Sequence, residues 1–172
     1  MVWFTGLPSS GKSTLAQAVS RALDRRKVPH VLLDGDEVRQ ALAPAPGYGP
    51  AARAHFYRTL AQLAGLLAHQ GLVVLIAATG HRRAFRALAR RAAPRFLEVY
   101  VATPLAECAR RNDKGLYGKA RRLPGAGVRY EPPLRPEVRA PEGSTPEAVR
   151  ACLAALGSAA LSGRRAPRLG SG

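Results

Sequence analysis

The sequence predicts an α/β fold: a three-layer sandwich around a mostly parallel sheet, the P-loop nucleoside triphosphate hydrolase architecture, closed by a lid. Three observations predict it. Short apolar runs alternate with helical patterns along the chain, without an internal repeat. Leu72-Val73-Val74-Leu75-Ile76-Ala77-Ala78 is apolar throughout, as suits a central parallel strand covered on both faces. Gly6-Leu7-Pro8-Ser9-Ser10-Gly11-Lys12-Ser13, followed by Thr14, reads G-x-x-x-x-G-K-S between an apolar run and a helical pattern.

Val2-Trp3-Phe4-Thr5 is the first strand, and Leu15, Val19 and Ala22 recur at helical spacing beyond the loop. The glycines let backbone N–H groups close around phosphate oxygens, and the positive end of the next helix points at the same anion. Lys12 would reach the β- and γ-phosphates of ATP, and the Ser13 hydroxyl would help to hold Mg2+. This helix runs to Lys27, its basic last turn Arg25-Arg26-Lys27 complementing its negative end, and Pro29 stops it. His30-Val31-Leu32-Leu33 is the second strand and leads into Asp34-Gly35-Asp36-Glu37-Val38-Arg39. Carboxylates at the carboxyl end of a strand lie where open α/β sheets bind ligands. Asp34 and Asp36 therefore read as caps of a short helix or as metal-binding and acid-base groups, and the neighbouring P-loop favours the second.

Residues 43–50, rich in Pro and Gly, read as a loop, after which Phe56, Leu60, Leu63 and Leu67 form one apolar helical stripe. Phe56 belongs to this core face at a place near the site, while Arg53 and Arg58 lie off the stripe, either solvated or facing a bound anion. Gly71 ends the helix ahead of the central strand. Thr79-Gly80-His81-Arg82-Arg83 follows that strand as a second stretch of the ligand crevice, with His81 expected to be a solvated loop residue. The next helix turns Phe85 and Leu88 inward and Arg86, Arg90 and Arg91 elsewhere, until Pro94 closes it. Phe96-Leu97-Glu98-Val99-Tyr100-Val101 is another strand, and Thr103-Pro104 caps and starts a further helix. Residues 111–136, basic and then rich in Gly and Pro, read as a mobile lid whose closure excludes water from the transferring phosphoryl group. A short strand within 136–140 and a helix opened by Ser144-Thr145-Pro146 and ended by Gly157 complete the domain. Residues 158–172 read as a disordered basic tail after a single domain over 1–157.

The chain has 172 residues, enough for one α/β core. Its formal charge of +16 is carried mostly by arginine and brings nucleic acid into consideration as a partner. No helix-turn-helix, zinc-finger or aromatic RNA-binding motif accompanies that charge, aromatic residues make up only 6%, and a polyanionic small substrate would be attracted equally. Nucleic acid is therefore not the expected partner. No apolar run approaches the roughly 20 residues a membrane helix needs. Cys108 and Cys152 lack paired or metal-ligand spacing and read as small buried or half-buried apolar groups of a reduced, cytoplasmic protein.

In this order the motifs resemble the adenylylsulfate kinase (APS kinase) family. The resemblance rests on Trp3-Phe4-Thr5-Gly6-Leu7 leading into the P-loop, on Leu33-Asp34-Gly35-Asp36 with Val38-Arg39, and on Gly71-Leu72-Val73-Val74. Glu98-Val99-Tyr100-Val101, Thr103-Pro104-Leu105 and Lys114-Gly115-Leu116-Tyr117 extend it. It implies transfer of the ATP γ-phosphoryl group to the ribose 3′-hydroxyl of adenylylsulfate, with magnesium, by an enzyme of sulfate assimilation whose relatives are commonly homodimers. It also implies Lys12 as the phosphate lysine, Asp36 as proton acceptor with Asp34 near the metal or the two exchanged, Arg39 and Arg53 as acceptor-binding arginines, Arg83 beside them, and Lys114 as the lid lysine. The chain departs from the family where Phe56 stands in place of an asparagine, where Ser-Pro-Tyr-Arg is replaced by Gly80-His81-Arg82-Arg83, and where Phe-Thr-Gly-Ile-Asp becomes Leu123-Pro124-Gly125-Ala126-Gly127. These departures keep a P-loop kinase with another small hydroxylated or nucleotide-like acceptor, and a nucleotide-dependent binding protein, as alternatives.

Overall fold

The computed structural model describes residues 1–111, 123–141 and 143–161. In chain order the elements are β1 (Val2–Thr5), α1 (Lys12–Asp24), β2 (His30–Asp34), α2 (Gly35–Ala41), α3 (Pro50–His69), β3 (Val73–Ala77), α4 (Arg83–Ala92), β4 (Leu97–Val101), α5 (Leu105–Arg111), β5 (Leu123–Pro124), β6 (Gly127–Val128), β7 (Val138–Ala140) and α6 (Pro146–Leu161). Five strands form one sheet in the order β2-β3-β1-β4-β7, every pairing parallel. β5 and β6 flank a tight turn at Gly125.

Alternation along the inner strands builds a core on each face of this sheet. Val2 and Phe4 of β1 and Leu75 and Ala77 of β3 join Leu15, Val19 and Leu23 of α1 and Cys152 and Leu156 of α6. Trp3 of β1 and Val74 and Ile76 of β3 join Phe56, Leu60 and Ala64 of α3 and Phe85 and Ala89 of α4. Trp3 also places its indole N–H 2.9 Å from the Ala78 carbonyl, so its polar atom is satisfied inside the core. Both cysteines are buried, as expected. Because β1 lies between β3 and β4, the segments leaving these three strands converge at one edge, the usual ligand edge of an open parallel sheet.

Three elements differ from the sequence reading. α1 ends at Asp24 rather than Lys27: Lys27 adopts φ 54°, its N–H bonds the Asp24 carbonyl at 2.8 Å and the N–H of buried Val28 reaches Leu23 at 3.1 Å. This is a Schellman closure, with the basic residues in the turn outside the helix. On α3, Leu63 is 37% exposed, and Ala61, Ala64 and Gly65 take the buried positions instead. The small residues let α4 come close, which rotates the helix away from the face that its leucines alone would select. α6 breaks at Gly157, where φ is 77°, and its backbone then continues helically to Leu161.

Gly65 decides between two opposing effects. Alanine there would gain about 1 kcal/mol of helix propensity, but its Cβ would lie 2.8 Å from the Ala92 carbonyl oxygen and 3.0 Å from the Ala92 Cβ. The oxygen belongs to backbone and cannot swing away, so overpacking of about 1–3 kcal/mol wins. Gly65→Ala is expected to lower the melting temperature by several degrees.

Candidate active site

The P-loop follows β1 directly. Gly6 passes so close to β4 that a Cβ would stand 2.5 Å from the Val101 carbonyl oxygen and 2.8 Å from Ser10 Oγ. Ser9 at φ 58° and Gly11 at φ 93° take left-handed conformations, and the Leu15 N–H bonds the Gly11 carbonyl to open α1. Consecutive turns of this kind point N–H groups into one concavity, the arrangement that cradles an anion. The Thr103 hydroxyl does not serve as the predicted helix cap but donates to the Ser10 carbonyl at 2.8 Å, bracing the loop from beneath. Lys12, 9% exposed, donates to the Leu7 carbonyl at 2.6 Å, so the ammonium curls back over the loop it belongs to.

Asp34 takes the capping role of the two read for that position, and its second oxygen faces the P-loop serine. Its Oδ1 accepts the Asp36 N–H at 2.9 Å and caps α2, while Oδ2 accepts the Ser13 hydroxyl at 2.6 Å. A carboxylate and a hydroxyl side by side are hard oxygen donors that fit magnesium. No cluster of three or more His, Cys, Asp or Glu ligands occurs among the described residues. Asp36 is exposed in the first turn of α2.

Arg39 and Arg53 lie together beyond these carboxylates, each 7% exposed. The Arg39 guanidinium lies 3.8 Å from the Phe56 ring centroid and 4.6 Å from that of exposed Tyr48, and donates to the Pro46 and Gly47 carbonyls, both at 2.9 Å. Phe56, 2% exposed, is thus core and support for Arg39 at once. Arg53 lies 5.8 Å from the Tyr48 ring. Arg58 is exposed, as is Arg83, whose N–H bonds the Glu131 carboxylate at 2.9 Å at the start of α4. That bond holds the Glu131 carboxyl below its ordinary pKa. Lys114 and the first part of the predicted lid lie outside the described residues. The second part brings Leu123–Val128 over the P-loop, with Gly125 so near Leu7 that a Cβ would stand 2.7 Å from its Cδ2.

Two side chains correct the sequence reading. Arg86, assigned away from the core, is 2% exposed: Nε meets Glu98 at 2.5 Å, Nη2 donates to the Glu131 carbonyl at 2.8 Å, and Nη1 to the Gly80 carbonyl. Glu98 in the middle of an apolar strand was the available signal, because a carboxylate inside a sheet requires a cation. His81, expected to be solvated, is 5% exposed, edge-on to Phe85 at 5.2 Å between centroids, with Nδ1 unpartnered. Burial first, then Arg53 and Arg82, lower its pKa from 6.5 to about 4. Tyr57 was also missed, while Tyr130, with Glu131, fits the family pattern after the altered lid segment. Tyr57 Oη accepts the Gly80 N–H at 3.1 Å, and Tyr130 Oη meets Thr5 Oγ1 at 3.0 Å while that hydroxyl donates to the Thr79 carbonyl at 2.6 Å.

A phosphate cradle, its lysine and a serine–aspartate pair at the ligand edge of a parallel sheet define a P-loop phosphotransferase. A sequence model of the family described as adenylylsulphate kinase matches residues 1–140. The structure of the Mycobacterium tuberculosis APS kinase CysC in complex with AMPPNP and APS is 38% identical, covering 91% of this chain and 96% of that one with a TM-score of 0.85. The hexameric APS kinase from Thiobacillus denitrificans is 27% identical with a TM-score of 0.62, over 93% of this chain and 29% of that one. Shikimate kinase from Aquifex aeolicus, at 20% identity and a TM-score of 0.54 over 94% of this chain and 99% of that one, shares the fold alone. The chain belongs to the adenylylsulphate kinase family and is a kinase that takes its phosphoryl group from ATP.

Arg86→Met should destabilise the protein by about 3 kcal/mol, since it leaves the largely buried Glu98 carboxylate with only the longer Arg90 contact at 3.7 Å and two carbonyls without their donor; chemical denaturation measures this. His81 gives a separate, pH-dependent signature. Between pH 6.5 and about 4 the unfolded chain holds a proton on this imidazole that the folded chain lacks, so stability falls as pH drops through that window. His81→Asn should remove up to about 3 kcal/mol of this acid sensitivity, read from urea midpoints of both proteins across the window.

Proposed function

We propose that the chain transfers the γ-phosphoryl group of ATP to the ribose 3′-hydroxyl of adenylylsulfate, giving 3′-phosphoadenylylsulfate and ADP. One observation carries the reading: the intact phosphate machinery of Gly6–Thr14 with the Ser13–Asp34 pair stands next to the buried, ring-backed arginines Arg39 and Arg53. The first half suits a nucleoside triphosphate and the second a second anionic nucleotide.

Phosphoryl transfer asks a protein mainly for positioning and charge stabilisation. The loop amides and Lys12 hold the triphosphate, and Lys12 neutralises charge that builds on the transferring group. Ser13 and Asp34 would hold magnesium, which would supply positive charge to offset that of the phosphates. Asp36, exposed at the start of α2 and close to both halves, accepts the proton of the attacking hydroxyl. Arg39, set by Phe56, and Arg53 fix the anionic part of the acceptor, with Arg83 and Lys114 as further cationic contacts. The chain acts as a homodimer in the cytoplasm.

The test is ADP release from ATP and magnesium with and without adenylylsulfate, the nucleotide products being separated and identified. Formation of 3′-phosphoadenylylsulfate supports the reading. Tight ATP binding without that product overturns it in favour of another hydroxylated acceptor, the outcome to which Phe56 and Gly80-His81-Arg82-Arg83 would then be assigned. Lys12→Ala should lower kcat by about a hundredfold or more with an unchanged melting temperature. Asp36→Asn should lower kcat by a factor on the order of 10²–10⁴ while leaving the Kd for ATP within about threefold.

A further inference from the structure

The two halves of the candidate site are carried by neighbouring strands. The phosphate loop leaves β1 and the segment Thr79-Gly80-His81 leaves β3, and the two strands pair in parallel as far as Phe4 and Ala77. A backbone bond from the Ala78 N–H to the Phe4 carbonyl at 3.2 Å continues the pairing. One residue further on, the join passes to a side chain: the hydroxyl of Thr5, the residue before Gly6, donates to the Thr79 carbonyl at 2.6 Å. Thr5 is 0% exposed, so this hydroxyl works inside the protein and meets no substrate.

A carbonyl only accepts, so the Thr5 proton goes to Thr79, and at the 3.0 Å contact between the Thr5 and Tyr130 hydroxyls it is Tyr130 that donates. The Tyr130 ring is held by stacking on Tyr100 of β4, 6.2 Å between centroids and 25° between planes. The next residue returns to the acceptor loop. There the Glu131 N–H bonds the His81 carbonyl at 2.8 Å, and the Glu131 carboxylate accepts the Arg83 N–H at 2.9 Å. Thr79, Thr5, Tyr130, Glu131 and His81 thus close a ring of hydrogen bonds through the backbone between them. The root of the phosphate loop is one member of that ring, and the acceptor loop enters it at both ends.

We propose that Thr5 is a positioning residue for phosphoryl transfer: its hydroxyl, backed by that of Tyr130, sets the distance between the acceptor loop and the phosphate cradle. The inference rests on the reading that the acceptor binds beside the segment leaving β3. The size of the effect follows from contact distances. Thr5→Val puts a methyl group in place of the hydroxyl, and a C–H carbon stays about 3.3–3.6 Å from a carbonyl oxygen. The Thr79 carbonyl, which lies at 2.6 Å from the hydroxyl, would have to withdraw by about 0.7–1.0 Å. Reacting atoms must approach to about 3–3.5 Å in line, and a misplacement of about 1 Å can slow a reaction on the order of a hundredfold. Thr5→Ser keeps the hydroxyl and removes only a methyl group.

The experiment is the single-turnover rate of 3′-phosphoadenylylsulfate formation for the wild type, Thr5→Val, Thr5→Ser and Tyr130→Phe, which separates chemistry from binding and product release. The Kd values for a non-hydrolysable ATP analogue and for adenylylsulfate are measured alongside, with melting curves. Gly65→Ala, which loosens the packing of α3 on α4 away from the site, serves as the control for lost stability. Thr5→Val should lower the rate about tenfold or more with both Kd values within about threefold of the wild type. Thr5→Ser should keep the rate within about threefold, Tyr130→Phe should lower it by about threefold to tenfold, and Gly65→Ala should melt earlier at an undiminished rate. An undiminished rate in Thr5→Val overturns the proposal. So does a loss that Thr5→Ser shares in full, that Gly65→Ala reproduces, or that weaker binding of both nucleotides accounts for. Should Thr5→Val fail to fold, Tyr130→Phe decides, and a rate equal to the wild type's then overturns the proposal. A wild type that forms no 3′-phosphoadenylylsulfate refutes the functional reading itself, and this inference falls with it.

Discussion

The phosphate loop can occupy its place because Gly6 has no side chain. Backbone leaving β1 crosses backbone at the end of β4 at a distance that excludes even a methyl group, and that contact sets the height of the cradle above the sheet. The rest of the donor half is built around it. Thr103 braces Ser10, Gly143 comes within 3.2 Å of the Ser10 carbonyl when measured from the position of a Cβ, and the turn at Gly125 covers Leu7. Close-packed backbone gives rigidity that side chains alone do not, and a rigid cradle stabilises charge without reorganising during the reaction.

The acceptor half uses different means. Its backbone is carried by the loop after β3, and a single buried guanidinium, that of Arg86, fastens this loop to β4 and to Glu131. Tyr57 and the Thr5–Tyr130 contact add two further ties. The donor half therefore depends on the absence of side chains and the acceptor half on long ones. Glycine contacts tolerate almost no substitution, whereas networks of long side chains can be rebuilt one member at a time, and this chain departs from its family pattern mainly on the second side.

What the sequence disclosed follows the same division. The P-loop, the Asp34–Asp36 segment and the order of strands and helices were legible because each rests on local chemistry: fixed glycine spacing, a capping carboxylate, unbroken apolar runs. Leu63 and Arg86 were misread because hydrophobic periodicity assumes that large apolar residues face inward. On α3 the inward face was chosen by small residues that admit α4, and on α4 a cation was drawn inside by Glu98 from a distant strand. His81 was misread for a related reason, since what buries it is the aromatic cluster of α3 and α4 rather than anything in its own loop. Pairings between residues far apart in the chain leave no periodic trace.

The arginine content that makes the chain so basic divides into two populations. Some arginines, such as Arg25 and Arg58, are exposed to solvent, while Arg39, Arg86 and Arg90 lie over the rings of Phe56, Tyr130 and Phe96. Dissolved salt screens the first population within about 8–10 Å and reaches the buried members of the second far less. The long-range field that would gather anionic nucleotides is thus separable from the contacts that would retain them: ionic strength acts on the rate of arrival, and of the three stacked arginines only Arg39, on the acceptor side, would act on the time of residence.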